Sequence, residues 1–325
     1  MIARRRRRLL SAAFAVALLA GACSGSSSQG SAPTSARSAP TTGPRAASCA
    51  PARPHAPGQS GQAFDFGGTQ RTYQLYVPSA YAGTTAVPVV FDFHGFGSNA
   101  QQQIVYGNFE PLANRHDFIV VAPDGQGAIK HFNLTGEKGK PSDIAMVLAL
   151  VKHIEATFCV DTARVYSTGM SDGGAMTSIL ACVAPQTFAA FGPVAVQLAP
   201  PGCNNHSVAM IAFHGTKDPV VPYAGGKVNC CGGAILGSTP KAMASWAAHD
   251  HCNAAFTDTK LGTQVSRRAW KGCEGTSEVV LYSIIGGGHT WPGAIAIPRL
   301  GLTTKQIDAS STIWDFFAAH PLTSG

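Results

Sequence analysis

Four short segments of this 325-residue chain carry residue types that could do chemistry together. Gly169-Met-Ser171-Asp-Gly173 holds a serine between glycines. Such spacing permits a tight turn that exposes a hydroxyl at a helix N-terminus, where backbone N–H groups favour developing negative charge. A glycine-rich strand–helix turn with no chemistry has the same letters. His94-Gly-Phe-Gly97 supplies glycines that let backbone N–H groups face an oxyanion, the residue after the nucleophile supplying the other donor. His94 itself reads better as a structural hydrogen-bonder than as a catalyst. His214-Gly-Thr-Lys-Asp218-Pro219 offers a carboxylate that can orient an imidazole, although Asp before Pro also makes ordinary turns. Gly286-Gly-Gly-His289-Thr-Trp291-Pro-Gly293 puts a histidine on a pliable loop, as a general base over the serine or simply as a solvated side chain. Taken jointly, Ser171, Asp218 and His289 stand in the chain order of an α/β-hydrolase triad, whose chemistry is acyl transfer.

Those residues need a scaffold that brings four strand ends together. Alternation over 71–77 predicts an early strand, and apolar runs predict strands at 89–93, 118–122, 164–168, 189–197, 210–213 and 279–284. Helical spacing marks 143–158, with Ser142 as N-cap, and further helices are expected at 172–183, 240–250 and 307–319. Buried strands separated by helices predict an α/β fold, a mostly parallel sheet with helices on both faces. Ligands bind at the carboxyl ends of such strands, where all four motifs fall.

Charge and composition exclude other classes. The formal net charge is +7. Arg4 to Arg8, Arg37, Arg45 and Arg53 all precede the first acidic residue, Asp65, so beyond them 16 basic residues face all 17 acidic ones. The excess belongs to the N-terminus, not to a folded basic face, which argues against nucleic-acid binding. Met1 to Arg8 followed by the apolar Leu9–Ala22 reads as an export signal over 1–22. Leu19-Ala20-Gly21-Ala22-Cys23 resembles a bacterial lipobox, with Cys23 as the lipidated residue; ordinary cleavage near Ala22 is the alternative. Residues 23–62 are rich in Ser, Ala, Pro and Gly and read as a tether, leaving 63–325 as the folded domain. The expected setting is the cell envelope or outside, with membrane contact only through the anchor.

Nine cysteines fit an oxidising compartment. Without Cys23, eight remain: Cys49, Cys159, Cys182, Cys203, Cys230, Cys231, Cys252 and Cys273. The adjacent Cys230-Cys231 lacks the spacing of zinc ligands, so no metal is expected. Topology suggests Cys159 with Cys182 and Cys252 with Cys273 at the edge away from the motifs. It puts Cys203, Cys230 and Cys231 on the motif side, with Cys49 free to reach any of them.

The segments HGFG, VYSTGMSDGG, FHGTKDPVVPY and GGGHTWPG together resemble bacterial polyhydroxybutyrate depolymerase-like and feruloyl-esterase-like esterases, of the carbohydrate esterase family one type. Several of those are lipoproteins. The resemblance covers roughly 63–320. It implies an α/β-hydrolase fold, carboxylic ester substrates (feruloyl, acetyl or short 3-hydroxyacyl, small or oligomeric), no cofactor and no obligate protein partner. It also implies Ser171 as nucleophile, Asp218 as its acid, His289 as base, the backbone N–H groups of Phe96 and Asp172 as oxyanion donors, and Trp291 as an aromatic pocket residue, or else as packing under the histidine loop. Two departures stand out. Asp172 puts a carboxylate beside the nucleophile, and the insertion Lys227 to Gly237, with its double cysteine, falls where it would reshape the pocket rim. A serine peptidase or thioesterase on the same fold, or a surface binding lipoprotein that has lost catalysis, are the competing readings.

Overall fold

In the computed structural model, which describes residues 47–135, 142–200, 202–203 and 206–323, the apolar run at 87–93 is a strand buried along its whole length. Val89, Phe91 and Phe93 pack into one hydrophobic layer, and Val90 packs into the other. A strand covered on both faces is what a continuous apolar run encodes, and it places this segment at the centre of an α/β sheet.

The strands, in chain order, are β1 (Gly58–Phe66), β2 (Thr69–Val77), β3 (Val87–Phe93), β4 (Ile119–Pro123), β5 (Val160–Met170), β6 (Ala190–Val194), β7 (Ala209–Gly215), β8 (Gly226–Lys227), β9 (Ile235–Leu236), β10 (Phe256–Lys260), β11 (Val265–Trp270) and β12 (Val279–Ile284). Ten of them form one sheet in the order β1-β2-β4-β3-β5-β6-β7-β12-β11-β10, and β8–β9 is a separate hairpin. The six from β4 to β12 run parallel, while β1, β2, β11 and β10 are antiparallel additions at the two edges. The helices are α1 (Ala100–Gly107), α2 (Glu110–His116), α3 (Asp143–Thr157), α4 (Asp172–Val183), α5 (Thr239–His249) and α6 (Ala309–Ala319). Buried residues of α3, α4 and α5, among them Leu150, Leu180 and Trp246, fill one layer; those of α1, α2 and α6, among them Ile104, Leu112 and Phe317, fill the other. The expected mostly parallel sheet with helices on both faces is what forms, and the strand ends after β3, β5 and β7 carry the first three motifs.

Two sequence-based expectations change. Residues 47–62, read as the end of the tether, lie on the folded body. β1 begins at Gly58 and pairs with β2 from Gly58–Val77 to Phe66–Thr69, and the Arg53 guanidinium donates to the carbonyls of Glu155 and Phe158. The side chains of β1 are mostly exposed; main-chain pairing holds this edge strand, so its sequence carries no hydrophobic pattern to read. The disulfides also differ. Cys252–Cys273 forms as expected, but Cys159 pairs with Cys49 and Cys182 with Cys203, and Cys230 pairs with Cys231. Cys159 is taken by the N-terminal segment folding over the end of α3. Cys203 is drawn to α4 by a chain that crosses it, where the Leu198 N–H donates to Ser178 Oγ. The export signal and Cys23 lie outside the described residues.

Candidate active site

Ser171 sits between β5 and α4 with φ +58° and ψ −113°, a positive-φ conformation outside the left-handed helical well and rare for any residue with a side chain. The turn survives because its neighbours are small. A Cβ on Gly173 would fall on the Phe93 carbonyl oxygen, far inside van der Waals contact, so only glycine lets α4 start this close to β3. A Cβ on Gly95 would come within 3.3 Å of Ser171 Cβ, so the loop after β3 also approaches the serine through a glycine. Strain of this kind clusters at functional positions.

His289 is carried on the loop after β12. Its N–H donates to Leu300 O at 2.7 Å, and the preceding Gly288 N–H donates to Leu302 O at 2.9 Å, which pins the loop to the 298–302 segment. His289 Nδ1 lies 2.7 Å from Asp218 Oδ2. Ser171 and His289 line one cavity of about 790 Å³, together with Phe96, Tyr106, Ile295 and Arg299. A smaller cavity of about 310 Å³, lined by Pro185, His206, Glu274 and His320, contains none of the expected site residues.

Asp218 is saturated with donors. Oδ1 accepts the N–H groups of Val220 and Val221, each at 2.8 Å. Oδ2 accepts from His289 and also faces His214 Nε2 at 3.3 Å. Burial pushes this carboxyl toward neutrality, but the hydrogen bonds from His214 and His289 and the field of both imidazoles outweigh it and hold the group well below the usual carboxylate range. It is therefore a buried anion with every acceptor site directed. His214, the first residue of the HGTKD motif, had no role in the sequence reading. In the fold it is buried between Val221 O at 3.0 Å and Gln197 Oε1 at 2.8 Å and grips the same aspartate. Its signal in the sequence was the i, i+4 spacing to Asp218.

His94 is buried and takes the structural role expected of it. Its Nε2 accepts the Gly125 N–H at 2.9 Å, so Nδ1 carries the proton and donates to Gly95 O at 2.7 Å. Burial, the largest influence, lowers its pKa and favours that neutral form. The Ser98 N–H donates to the same carbonyl. Because C=O and N–H of one peptide point oppositely, this fixes the direction of the Phe96 N–H. Neither the Phe96 nor the Asp172 N–H meets an internal acceptor among the described residues.

The Asp172 carboxylate is turned away from the cavity and accepts the Phe132 N–H at 2.8 Å. Burial raises its pKa, with the Phe132 bond opposing. The charge flagged as a departure is thus spent on the 125–133 loop, whose Lys130 carbonyl receives the Gly97 N–H at 2.7 Å. Of the two roles expected for Trp291, pocket residue or packing under the histidine loop, the second is what forms: it is buried. Its indole N–H donates to Ser310 Oγ at 2.9 Å, its ring meets Phe109 edge-on, and it does not line the cavity. No group of three or more His, Cys, Asp or Glu is placed to hold a metal among the described residues.

Residues 71–224 match the family model described as Esterase PHB depolymerase. A protein of Aspergillus flavus named "Probable feruloyl esterase C" is 30% identical over 258 residues, covering 77% of this chain and 84% of its own length. The chain belongs to this esterase family. Feruloyl esterase C of Emericella nidulans is 31% identical over 163 residues, covering 48% of the esterase described above and 58% of its own length. Among solved structures, an acetyl xylan esterase from Aspergillus awamori superposes with a TM-score of 0.55 at 17% identity, covering 80% of this esterase and 99% of the fungal chain. That likeness identifies the fold as an α/β hydrolase, in agreement with the sheet order above.

Proposed function

We propose that this esterase hydrolyses carboxylic esters through Ser171, His289 and Asp218. The observation that carries the reading is that a serine in a strained positive-φ turn shares its cavity with a histidine whose Nδ1 is committed to a buried carboxylate. A proton held on Nδ1 leaves Nε2 free to accept, as a general base must. In the first step Ser171 Oγ bonds to the ester carbonyl carbon as its proton passes to His289 Nε2. The carbonyl oxygen takes up negative charge facing the Phe96 and Asp172 N–H groups. The tetrahedral species then expels the alcohol, which receives the proton from His289. Water, activated by the same histidine, releases the acid and restores the serine. Asp218 stabilises the imidazolium in both steps without taking its proton.

The substrates proposed are feruloyl, acetyl or short 3-hydroxyacyl esters, following the names of the relatives and the cavity's mixture of apolar walls with the Gln101, Gln102 and Gln103 side. The four disulfides support an oxidising, extracytoplasmic setting, and the lipobox-like stretch before Cys23 supports anchoring at the cell envelope. Among the described residues no helix is long and apolar enough to cross a membrane. The test is an ester panel (nitrophenyl acetate and butyrate, methyl ferulate, acetylated xylan, hydroxybutyrate oligomers) run on the wild type and on Ser171→Ala. Hydrolysis by the wild type and its loss in a variant with an unchanged melting curve is expected. Hydrolysis retained by Ser171→Ala sinks the assignment.

A further inference from the structure

Of the four disulfides, three join residues 21 to 110 positions apart and one joins neighbours. The stabilisation a cross-link brings through the unfolded chain grows with the length it closes. The Cys230–Cys231 ring closes a single peptide unit and restricts the unfolded chain hardly at all. Its reason for being there must lie in the folded state, and its position is informative: both cysteines line the cavity shared by Ser171 and His289.

The pair is held there by the β8–β9 hairpin. Val228 N–H donates to Ala234 O and Gly233 N–H to Cys230 O, each at 2.8 Å, closing a turn in which Cys231, Gly232 and Gly233 all have positive φ. Asn229 ties the turn to the segment that holds the catalytic acid, its backbone N–H donating to Val220 O and its side-chain amide to Pro219 O. Cys230 also packs against the small apolar cluster of Ala175, Val196, Val221 and Val228. The sulfurs are therefore fixed relative to Asp218 and to the serine helix. A disulfide offers no N–H or O–H, and polarisable sulfur makes favourable contacts with aromatic rings. The same cavity adds the half-exposed Phe96 ring and the side chains of Val220 and Ile297. These make an apolar, ring-accepting lining beside a serine whose chemistry needs only an ester carbonyl.

We propose that the Cys230–Cys231 disulfide is a specificity determinant of this site, a sulfur wall against which the ring of an aromatic acyl group packs. This rests on the ester-hydrolase reading above. The wall acts on ring-bearing esters and leaves small aliphatic ones untouched, because these reach the serine without spanning the cavity.

The experiment compares the full chain with the Cys230→Ser/Cys231→Ser double variant on methyl ferulate and methyl acetate. For methyl ferulate KM is expected to rise about fivefold to tenfold, the size of one sulfur–ring contact, with kcat little changed. Methyl acetate kinetics should stay the same, and the melting temperature should move by less than ~2 °C. A second arm needs no variant. A water-soluble trialkylphosphine reduces the wild-type pair, its phosphorus taking oxygen from one water as the Sγ–Sγ bond becomes two thiols; alkylation and peptide mass mapping report which cysteines have opened. Protein opened only at Cys230 and Cys231 should reproduce the KM rise. An unchanged methyl ferulate KM, or equal losses on both esters, overturns the proposal if the wild type is active. Inactivity of the wild type on both esters overturns the ester reading itself.

Discussion

His289 Nδ1 lies 2.7 Å from Asp218 Oδ2, while the other oxygen of that carboxylate is occupied by the N–H groups of Val220 and Val221. The aspartate cannot rotate without losing main-chain bonds. It therefore fixes both the orientation of the imidazole and the nitrogen that carries the proton. The second imidazole, His214, approaches the same oxygen at 3.3 Å from the buried side. The acid is thus clamped from three directions, two of them supplied by residues within four positions in the chain.

Asp218→Asn tests this directly. An amide Nδ2 at the Oδ2 position donates instead of accepting, so His289 must present the other tautomer and its Nε2 can no longer take the serine proton. A fall in kcat of roughly 10³ to 10⁴ with the fold retained is expected. Steady-state kinetics on a nitrophenyl ester and a circular dichroism melt measure it; a fall below tenfold removes Asp218 from the proposed triad.

His94→Ala addresses the oxyanion side. The Gly95 carbonyl loses its Nδ1–H donor, the Gly125 N–H loses its acceptor, and the Phe96 N–H is left aimed by the Ser98 N–H bond alone. Losing one oxyanion donor costs about 100-fold in rate, and a misdirected donor should cost ~10- to 100-fold. The loss is expected in kcat with KM little changed. An effect confined to KM would show that His94 shapes binding instead.

Asp250 is a buried carboxyl outside the site. Burial raises its pKa to about 6, against opposing bonds from His249 and the Val208 N–H. The folded state therefore holds a proton that the unfolded chain releases near pH 4. The stability this group contributes is complete below pH 4 and is lost as pH rises through about 6, a decline of ~2–3 kcal/mol. Urea unfolding of the wild type and of Asp250→Asn between pH 4 and 7 should show the wild type losing ground to the variant as pH rises. A constant difference would place the ordinary pKa on Asp250.

The parallel centre of the sheet was legible because strands buried on both faces are written as apolar runs, as at 87–93 and 209–215, and because Ser171, Asp218 and His289 follow strand ends in hydrolase order. The edges were not. β1 and β10 expose most of their side chains, so main-chain pairing decides them and composition says little; β11, with its half-buried Ser266, Arg267 and Arg268 between buried ends, shows no apolar run either. α1 and α2 were missed for a related reason: Gln101, Gln102 and Gln103 at the start of α1 leave too few apolar positions for a helical period. At the site, Trp291 looked like a pocket residue from its place beside His289. Whether an indole faces a cavity or a core depends on partners distant in sequence, here Phe109 and Ser310. The Cys159 partner failed likewise, since it depends on a segment whose own sequence reads as linker.

That segment gives a last test. Cys49–Cys159 closes the longest loop of the four, with a sequence separation of 110, and staples the chain ahead of β1 to the end of α3. Arg53 adds two donors to the Glu155 and Phe158 carbonyls, and the Cys159 N–H donates to Tyr81 Oη, whose own hydroxyl reaches Arg53 O. Cys49→Ala frees the cross-link but leaves those bonds, so the unfolded chain gains most of the loop entropy while the folded contacts persist. A loss of ~2–5 kcal/mol is expected, with kcat and KM unchanged because neither cysteine lines the cavity shared by Ser171 and His289. Chemical denaturation gives the first and ester kinetics the second. A stability change under ~0.5 kcal/mol would mean that the hydrogen bonds alone hold the segment, and the body of the enzyme would then begin, in energetic terms, at β1.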